Sequence, residues 1–155
     1  MSVWRPPERF AHFKVPASLV LDTFCYLNDG EELESIAYWA GKVDGTDALV
    51  TRLVKPRAIR DERFVIVPVE EVSRAVNECA AVGDFLVAQI HTHPQDEDHS
   101  ETDDCGTVSK RNGFVSLVVP FYGRYSSLTK PFWFGYELMN GEWREFEMSR
   151  VHVLY

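Results

Sequence analysis

The sequence predicts an α+β fold in which a mixed central sheet is flanked by helices. In the middle of the chain, short runs of bulky apolar residues typical of strands alternate with segments of helical periodicity. Two hairpin signals bracket this region, Asp44-Gly45 on one side and Asn140-Gly141 on the other. Alternating elements favour parallel strands whereas hairpins join antiparallel ones, so a sheet containing both must be mixed.

The first third of the chain predicts an arm, a helix and a hairpin. Residues 1–15 contain two prolines and mixed charges, a composition that favours an extended N-terminal arm. From Pro16 to about residue 27, apolar side chains recur at helical spacing until Asn28-Asp29-Gly30 ends the pattern. Residues 36–41 and 48–54 have the composition of paired strands. We therefore expect an arm over 1–15 and a single domain over 16–155.

The middle of the chain predicts a buried strand, a helix and a second strand. Residues 64–67 are uniformly bulky and apolar and are followed by Pro68, as in a buried strand. A helix follows and ends at Gly83, with its inward face formed by Val72, Val76, Cys79 and Ala80. The apolar residues 85–90 then form a strand that leads directly into two histidines.

The last third of the chain predicts a helix, a strand and a hairpin. Ser100 is a suitable N-cap for a helix to about Lys110, because acidic residues follow it in the first turn. Residues 114–119 predict another buried strand. Residues 132–139 and 143–146 flank the second hairpin turn, and we expect their aromatic side chains to pack in the core.

The charge, the apolar runs and the cysteine spacing argue against several classes of function. The 155 residues include 24 acidic and 16 basic side chains, a net charge of −8 that disfavours binding to nucleic acid or to anionic membranes. No apolar run is long enough to span a bilayer, and the charged, proline-containing start does not look like a signal peptide, so we expect a cytoplasmic location. The cysteines Cys25, Cys79 and Cys105 are isolated from one another, which argues against a dithiol or a cysteine-rich zinc site.

The segment His91-Thr92-His93-Pro94 is the clearest chemical signal. A shuffled chain of this composition would contain the pattern His-x-His-Pro in about one case in a hundred. Side chains alternate along a strand, so His91 and His93 should point to the same face with Thr92 on the other. Two imidazoles placed in this way can bind one metal ion.

A carboxylate is predicted to join the two histidines. In the first turn of a helix, Ser100 and Asp103 are three positions apart and therefore share a face. Two imidazoles, one carboxylate and a water molecule form the open arrangement of a catalytic zinc ion, whereas structural zinc sites are usually closed by cysteines. The pattern indicates metal-assisted hydrolysis.

Together these residues resemble the signature of the JAMM/MPN metallopeptidases, in which an upstream Glu precedes H-[ST]-H-P and S-x-x-D. The segment from Glu34 to Gly41 matches the spacing of the family's E-x-x-G-x-L-x-G pattern, with Ala37 in place of the inner glycine. The resemblance implies a cytidine-deaminase-like MPN architecture and one Zn²⁺ per chain. It also implies site roles, with the metal bound by His91, His93 and Asp103, and catalysis by Glu34 as general base and Ser100 as a donor to the oxyanion.

One spacing departs from the family pattern. Six residues separate His93 from Ser100, where the family usually has seven. If helix geometry sets the ligand, Asp103 binds the metal; if the distance along the chain from His93 sets it, Asp104 does. We favour Asp103, because the relation of Ser100 to Asp103 is fixed by the helix while loop lengths vary.

The resemblance also implies a substrate class. JAMM/MPN enzymes of this kind cleave a ubiquitin-like protein from its conjugate or trim its precursor, and bind its tail as an added strand, here expected at an edge strand near the Glu34 hairpin. Bacterial relatives accompany E1-like and E2-like enzymes, including those of antiviral defence systems. The alternative is a catalytically silent MPN scaffold that binds partner proteins.

Overall fold

A computed structural model of the chain describes residues 9–94, 109–128 and 133–155. The predicted helix that begins at Ser100 falls almost wholly outside the described residues. The described elements are two α-helices and ten strands, apart from two three-residue 3₁₀ turns at Phe121–Gly123 and Met148–Arg150. In chain order they are β1 (Phe13–Pro16), α1 (Ala17–Leu27), β2 (Ile36–Asp44), β3 (Asp47–Val54), β4 (Ile59–Arg60), β5 (Val65–Ile66), α2 (Val69–Ala80), β6 (Phe85–Thr92), β7 (Val115–Val119), β8 (Phe134–Met139), β9 (Glu142–Glu145) and β10 (Val151–Leu154).

Eight of these strands form one mixed sheet, as predicted. The strand order is β10-β1-β3-β2-β6-β7-β8-β9. β1 is parallel to both its neighbours and β6 is parallel to β7, while the remaining pairs are antiparallel. β4 and β5 form a separate two-stranded antiparallel sheet. β6, which leads into the histidines, therefore lies in the middle of the large sheet.

The helices α1 and α2 cover opposite faces of this sheet. Alternate residues of β2 belong to different cores: Trp39 packs with α1, and its neighbours Tyr38 and Ala40 pack with α2. The predicted helix over 16–27 is confirmed as α1. The predicted inward face of α2 is partly wrong, because the helix buries Ala75 and Cys79 and leaves Val76 exposed.

Gly41 lies where β2 approaches β3 too closely for a side chain. An ideal Cβ on Gly41 would lie 2.0 Å from the carbonyl oxygen of Leu49, and both strand pairings of β2 shift register beside this position. A glycine therefore allows the bulged strand to stay paired on both sides. This accounts physically for the glycine at the end of the Glu34 to Gly41 segment.

The prediction of an extended arm is wrong for residues 10–15. Phe10, Phe13 and Val15 are completely or almost completely buried in the core under α1. β1 pairs with β3 and also with the C-terminal strand β10, which the sequence pattern did not predict. Burial of three large apolar side chains outweighs the influence of the prolines, which precede the described residues.

The prediction of a buried strand over residues 64–67 is also wrong. Only Val65 and Ile66 are extended, and Ile66 is exposed, so this segment is half of a surface hairpin and not a buried strand. The other predicted strands and both hairpins occur close to their expected positions. Asn140 and Gly141 both have positive φ, 53° and 79°, as a tight hairpin turn requires.

Neither described helix has the length and apolar character needed to cross a bilayer.

Candidate metal centre

The two predicted histidines lie at the end of β6 and face the same side of the sheet. His91 pairs with Ile36 of β2 and with Val118 of β7, and the amide of His93 donates to the carbonyl of Val119 at 3.0 Å. Strand pairing on both sides therefore fixes the backbone of this segment. The two imidazole ring centres are 5.0 Å apart, and each residue is only 2% exposed.

The spacing of the two rings fits a shared metal ion. Two imidazoles that bind one tetrahedral Zn²⁺ through nitrogens at about 2.0–2.1 Å place their ring centres about 5 Å apart. The ring centres of His91 and His93 have this spacing. Imidazole nitrogen is also a donor that zinc commonly uses in proteins.

The structure brings Glu34 to the same place. Glu34 directly precedes the segment that pairs with β6, and it is 3% exposed. Its Oε1 lies 3.9 Å from Nε2 of His93. This separation is longer than a hydrogen bond, so the carboxylate is a near neighbour of this ring nitrogen and not its acceptor.

Thr92 joins the histidine strand to the glutamate segment. Its hydroxyl oxygen accepts a hydrogen bond of 2.8 Å from the amide of Ser35, and its own amide donates to the carbonyl of Ser35 at 2.9 Å. Thr92 is fully buried. The threonine between the histidines thus holds the residue that follows Glu34, a role that no sequence pattern indicated.

A turn in the left-handed backbone region supports the other side of the histidines. Phe121, Tyr122 and Gly123 have φ values of 57°, 53° and 77°. Non-glycine residues in this region are costly and persist where the surroundings hold them, often at functional sites. Here the amide of Tyr122 donates to the carbonyl of His93 at 2.9 Å.

The side chain of Tyr122 connects the same turn to the segment between β4 and β5. Its hydroxyl donates to the carbonyl of Glu62 at 3.1 Å. Burial, together with nearby carboxylates that include Glu34, raises the pKa of this phenol. The phenol therefore stays protonated and keeps its proton for this hydrogen bond. Nothing in the local sequence distinguishes Tyr122 from other surface tyrosines, so this role was not predictable.

The remaining predicted site residues fall outside the described part of the chain. Ser100, Asp103 and Asp104 all lie within residues 95–108. In the described ranges, no group of three or more His, Cys, Asp or Glu side chains is arranged to hold a metal ion. The two histidines and the neighbouring glutamate are therefore the described part of the site, and the third ligand stays a prediction.

β2 offers no free edge to an added strand, and the expected binding of a substrate tail at an edge strand near the Glu34 hairpin stays a prediction. β2 lies between β3 and β6, and β1 pairs with β3 as far as Leu49. Both sides of β2 are therefore already occupied by strands of this chain.

Comparison with known proteins gives one relative of related sequence. No protein-family model matches the chain. Over 95 residues it is 39% identical to the probable metalloprotease y4jG of Sinorhizobium fredii, a match that covers 59% of this chain. The chain also spans only 59% of that relative's length.

Two solved structures share the architecture. Protein DSY2949 from Desulfitobacterium hafniense superposes with a TM-score of 0.70 at 15% identity and covers 92% of both chains. AF2198, a JAB1/MPN domain protein from Archaeoglobus fulgidus, has a TM-score of 0.55 at 16% identity and covers 93% of this chain and 99% of its own. The chain has the JAB1/MPN fold. The predicted α+β class and the predicted resemblance to JAMM/MPN proteins are thereby confirmed.

Proposed function

We propose that the chain is a metal-dependent peptidase that uses the JAB1/MPN fold. In this proposal His91 and His93 hold one Zn²⁺ together with Asp103, and the carboxylate of Glu34 is the general base. The supporting observation is the buried convergence of Glu34 with two imidazoles that are spaced for one metal ion. The name of the sequence relative, a probable metalloprotease, supports the same activity.

The proposed chemistry divides between the metal and the side chains. A divalent ion bound here would supply Lewis-acid activation of water and of the scissile carbonyl. Glu34 takes the proton from the attacking water and delivers it to the departing amine, work that a carboxylate can do when it lies beside the reacting atoms. Ser100 donates a hydrogen bond to the oxyanion, which is typically worth about 2.7–4 kcal/mol.

The burial of Glu34 suits this role. A carboxylate that is 3% exposed is shielded from bulk water, so its interactions with charges at the reacting centre are stronger than they would be at the surface. The backbone of Ser35, held by Thr92, keeps the glutamate at a constant position relative to the histidine strand.

Metal content and hydrolysis test the proposal. We expect the purified chain to contain zinc, measured by mass spectrometry, and His91→Ala and His93→Ala to lose it. Glu34→Gln should keep the metal and lose about 10²–10⁴-fold in hydrolysis rate. His152→Ala is the matched control, since this exposed histidine lies on β10, four strands away from β6 in the sheet order.

The same measurement separates the two candidates for the third ligand. If Asp103 binds the metal, Asp103→Ala should lose zinc while Asp104→Ala keeps it, and the reverse result would assign Asp104. Equal metal content in both variants would contradict either residue as the sole carboxylate ligand. Absence of any transition metal from the wild-type chain would contradict the peptidase proposal itself.

The proposed substrate is a ubiquitin-like protein, cleaved from its conjugate or from its precursor. The resemblance of the site pattern to JAMM/MPN isopeptidases supports this choice of substrate. By the same resemblance, we propose a cytoplasmic enzyme that acts with E1-like and E2-like partners, as in bacterial antiviral defence. Isopeptide-linked and linear fusions of ubiquitin-like proteins, offered side by side, test it. Cleavage of generic peptides but of neither fusion would contradict this substrate class.

A further inference from the structure

The segment that carries Glu34 is held without regular secondary structure. Between the end of α1 and the start of β2, residues 28–35 form neither a helix nor a strand. A strand residue has its backbone fixed by the neighbouring ladder, and Glu34 has no such ladder. Its amide donates instead to the carbonyl of Asp61 at 2.8 Å, on the hairpin formed by β4 and β5.

The adjacent Arg60 makes further contacts to this segment. Its Nε donates to the carbonyl of Glu34 at 2.9 Å, and its Nη2 donates to the hydroxyl of Ser35 at 2.6 Å. The same nitrogen pairs with Oδ2 of Asp29 at 2.8 Å. With longer contacts to the carbonyl of Leu33 at 3.5 Å and to Oε2 of Glu31 at 3.7 Å, one guanidinium contacts five residues of the segment between α1 and β2.

The chemistry of arginine explains why this residue type can do so. The guanidinium is planar and carries several N–H donors in a rigid fork, so it can serve acceptors in different directions at once. The side chain of Arg60 is only 26% exposed, which keeps its hydrogen bonds partly shielded from water. A lysine at this position would have one compact ammonium group with which to replace these contacts.

The hairpin supplies the fixed point for these contacts. Ile59 pairs with Ile66 and Arg60 pairs with Val65, and the amide of Asp61 donates to the carbonyl of Phe64 at 2.9 Å. This pairing aligns Arg60 and the carbonyl of Asp61 toward the same segment. The small hairpin therefore has a structural purpose beyond joining β3 to α2.

We propose that Arg60 is a positioning residue for Glu34, with the hairpin of β4 and β5 as its support. It acts through the backbone of residues 34 and 35 and does not touch the reacting atoms. This inference rests on the proposed role of Glu34 as general base. It predicts a loss in the chemical step without a loss of the metal.

Kinetics of three variants test the proposal. We expect Arg60→Met to lower kcat about 10²-fold, the scale of loss that a small misplacement of a catalytic group causes, with KM and zinc content unchanged. Arg60→Lys should recover part of this loss. Arg63→Met, an exposed arginine on the same hairpin, should behave as wild type. Equal kcat in Arg60→Met and Arg63→Met would overturn the proposal.

A double variant distinguishes positioning from a general structural effect. If Arg60 acts through Glu34, then adding Arg60→Met to Glu34→Gln should not lower the residual rate further. Independent losses that multiply in the double variant would overturn the proposal. Should Arg60→Met not fold, the comparison of Arg60→Lys with Arg63→Lys answers the same question.

Hydrogen exchange gives a readout that does not depend on hydrolysis. In Arg60→Met the amide of Glu34 should exchange faster, while amides of β6 keep their protection. Unchanged exchange at residues 29–35 would overturn the role of Arg60 even if the chain is a peptidase. A wild-type chain without hydrolytic activity, combined with faster exchange in the variant, would instead contradict the proposed function and leave the structural role of Arg60 intact.

Discussion

Replacing Thr92 by valine should loosen the glutamate segment from the histidine strand. Valine is β-branched like threonine, so the substitution replaces one hydroxyl by a methyl group without leaving a cavity. The amide of Ser35 then loses the acceptor that it has at 2.8 Å in a fully buried position.

The magnitude follows from the unsatisfied amide. A buried donor that loses its acceptor costs about 1–3 kcal/mol of unfolding free energy. For a chain of this size each kcal/mol corresponds to about 2–4 °C in the melting temperature. Thr92→Ser retains the acceptor and loses one buried methyl group, worth about 0.8 kcal/mol. The two variants should therefore differ most in the hydrogen-exchange rate of the Ser35 amide.

Urea denaturation and amide exchange provide the assay. Thr92→Val should unfold at a lower urea concentration than wild type and show faster exchange at Ser35, whereas Thr92→Ser should keep that amide protected. Thr46→Val, in the exposed turn between β2 and β3, is the matched control. If Thr92→Val and Thr46→Val unfold at the same urea concentration and the Ser35 amide stays protected in both, the Thr92 hydroxyl does not hold the glutamate segment.

Three further predictions concern parts of the fold away from the histidines. Glu137→Gln should lower the unfolding free energy by about 3–5 kcal/mol, measured by urea denaturation. The buried carboxylate of Glu137 pairs with Arg150 at 2.9 Å, and the substitution would leave the guanidinium without its counterion. Gly41→Ala should cost at least about 1–3 kcal/mol in the same assay, because its Cβ would lie 2.0 Å from a backbone oxygen of β3. Hydrogen bonds from Arg74, aided by a backbone amide, hold the pKa of Glu71 at about 2, below its ordinary 4.5. This contribution to stability should be present above pH 4.5 and be lost as the pH falls toward 2, and Arg74→Met should raise the pKa of Glu71 in an NMR titration.

The elements that were predicted correctly carry their signal within a short stretch of chain. The helix α1, the hairpin of β2 and β3 and the hairpin of β8 and β9 each depend on periodicity and turn residues that neighbouring positions supply. The strand β6 and its two histidines belong to the same class, because alternation along a strand is local. That the two rings lie on one face of the sheet thus follows from their spacing in the sequence.

The elements that were missed depend on partners far away in the chain. β1 is four residues long, and its pairing with β10 joins residues 138 positions apart, for example Phe13 with Val151. A four-residue strand of this kind has no pattern of its own that outweighs nearby prolines. Its place in the sheet is decided by burial of Phe13 and Val15 in the core, which only the folded chain provides.

The position of Glu34 depends both on neighbouring residues in the sequence and on residues far away in the chain. Its spacing from Gly41 could be recognised in the sequence, but its distance from His93 depends on the pairing of β2 with β6 and on contacts to a surface hairpin. Because that hairpin and the hydroxyl of Thr92 hold the segment from two sides, each contact contributes to where the carboxylate lies. Loss of Arg60 and loss of the Thr92 hydroxyl should therefore reinforce each other, with a double variant that loosens Glu34 more than the two single effects combined.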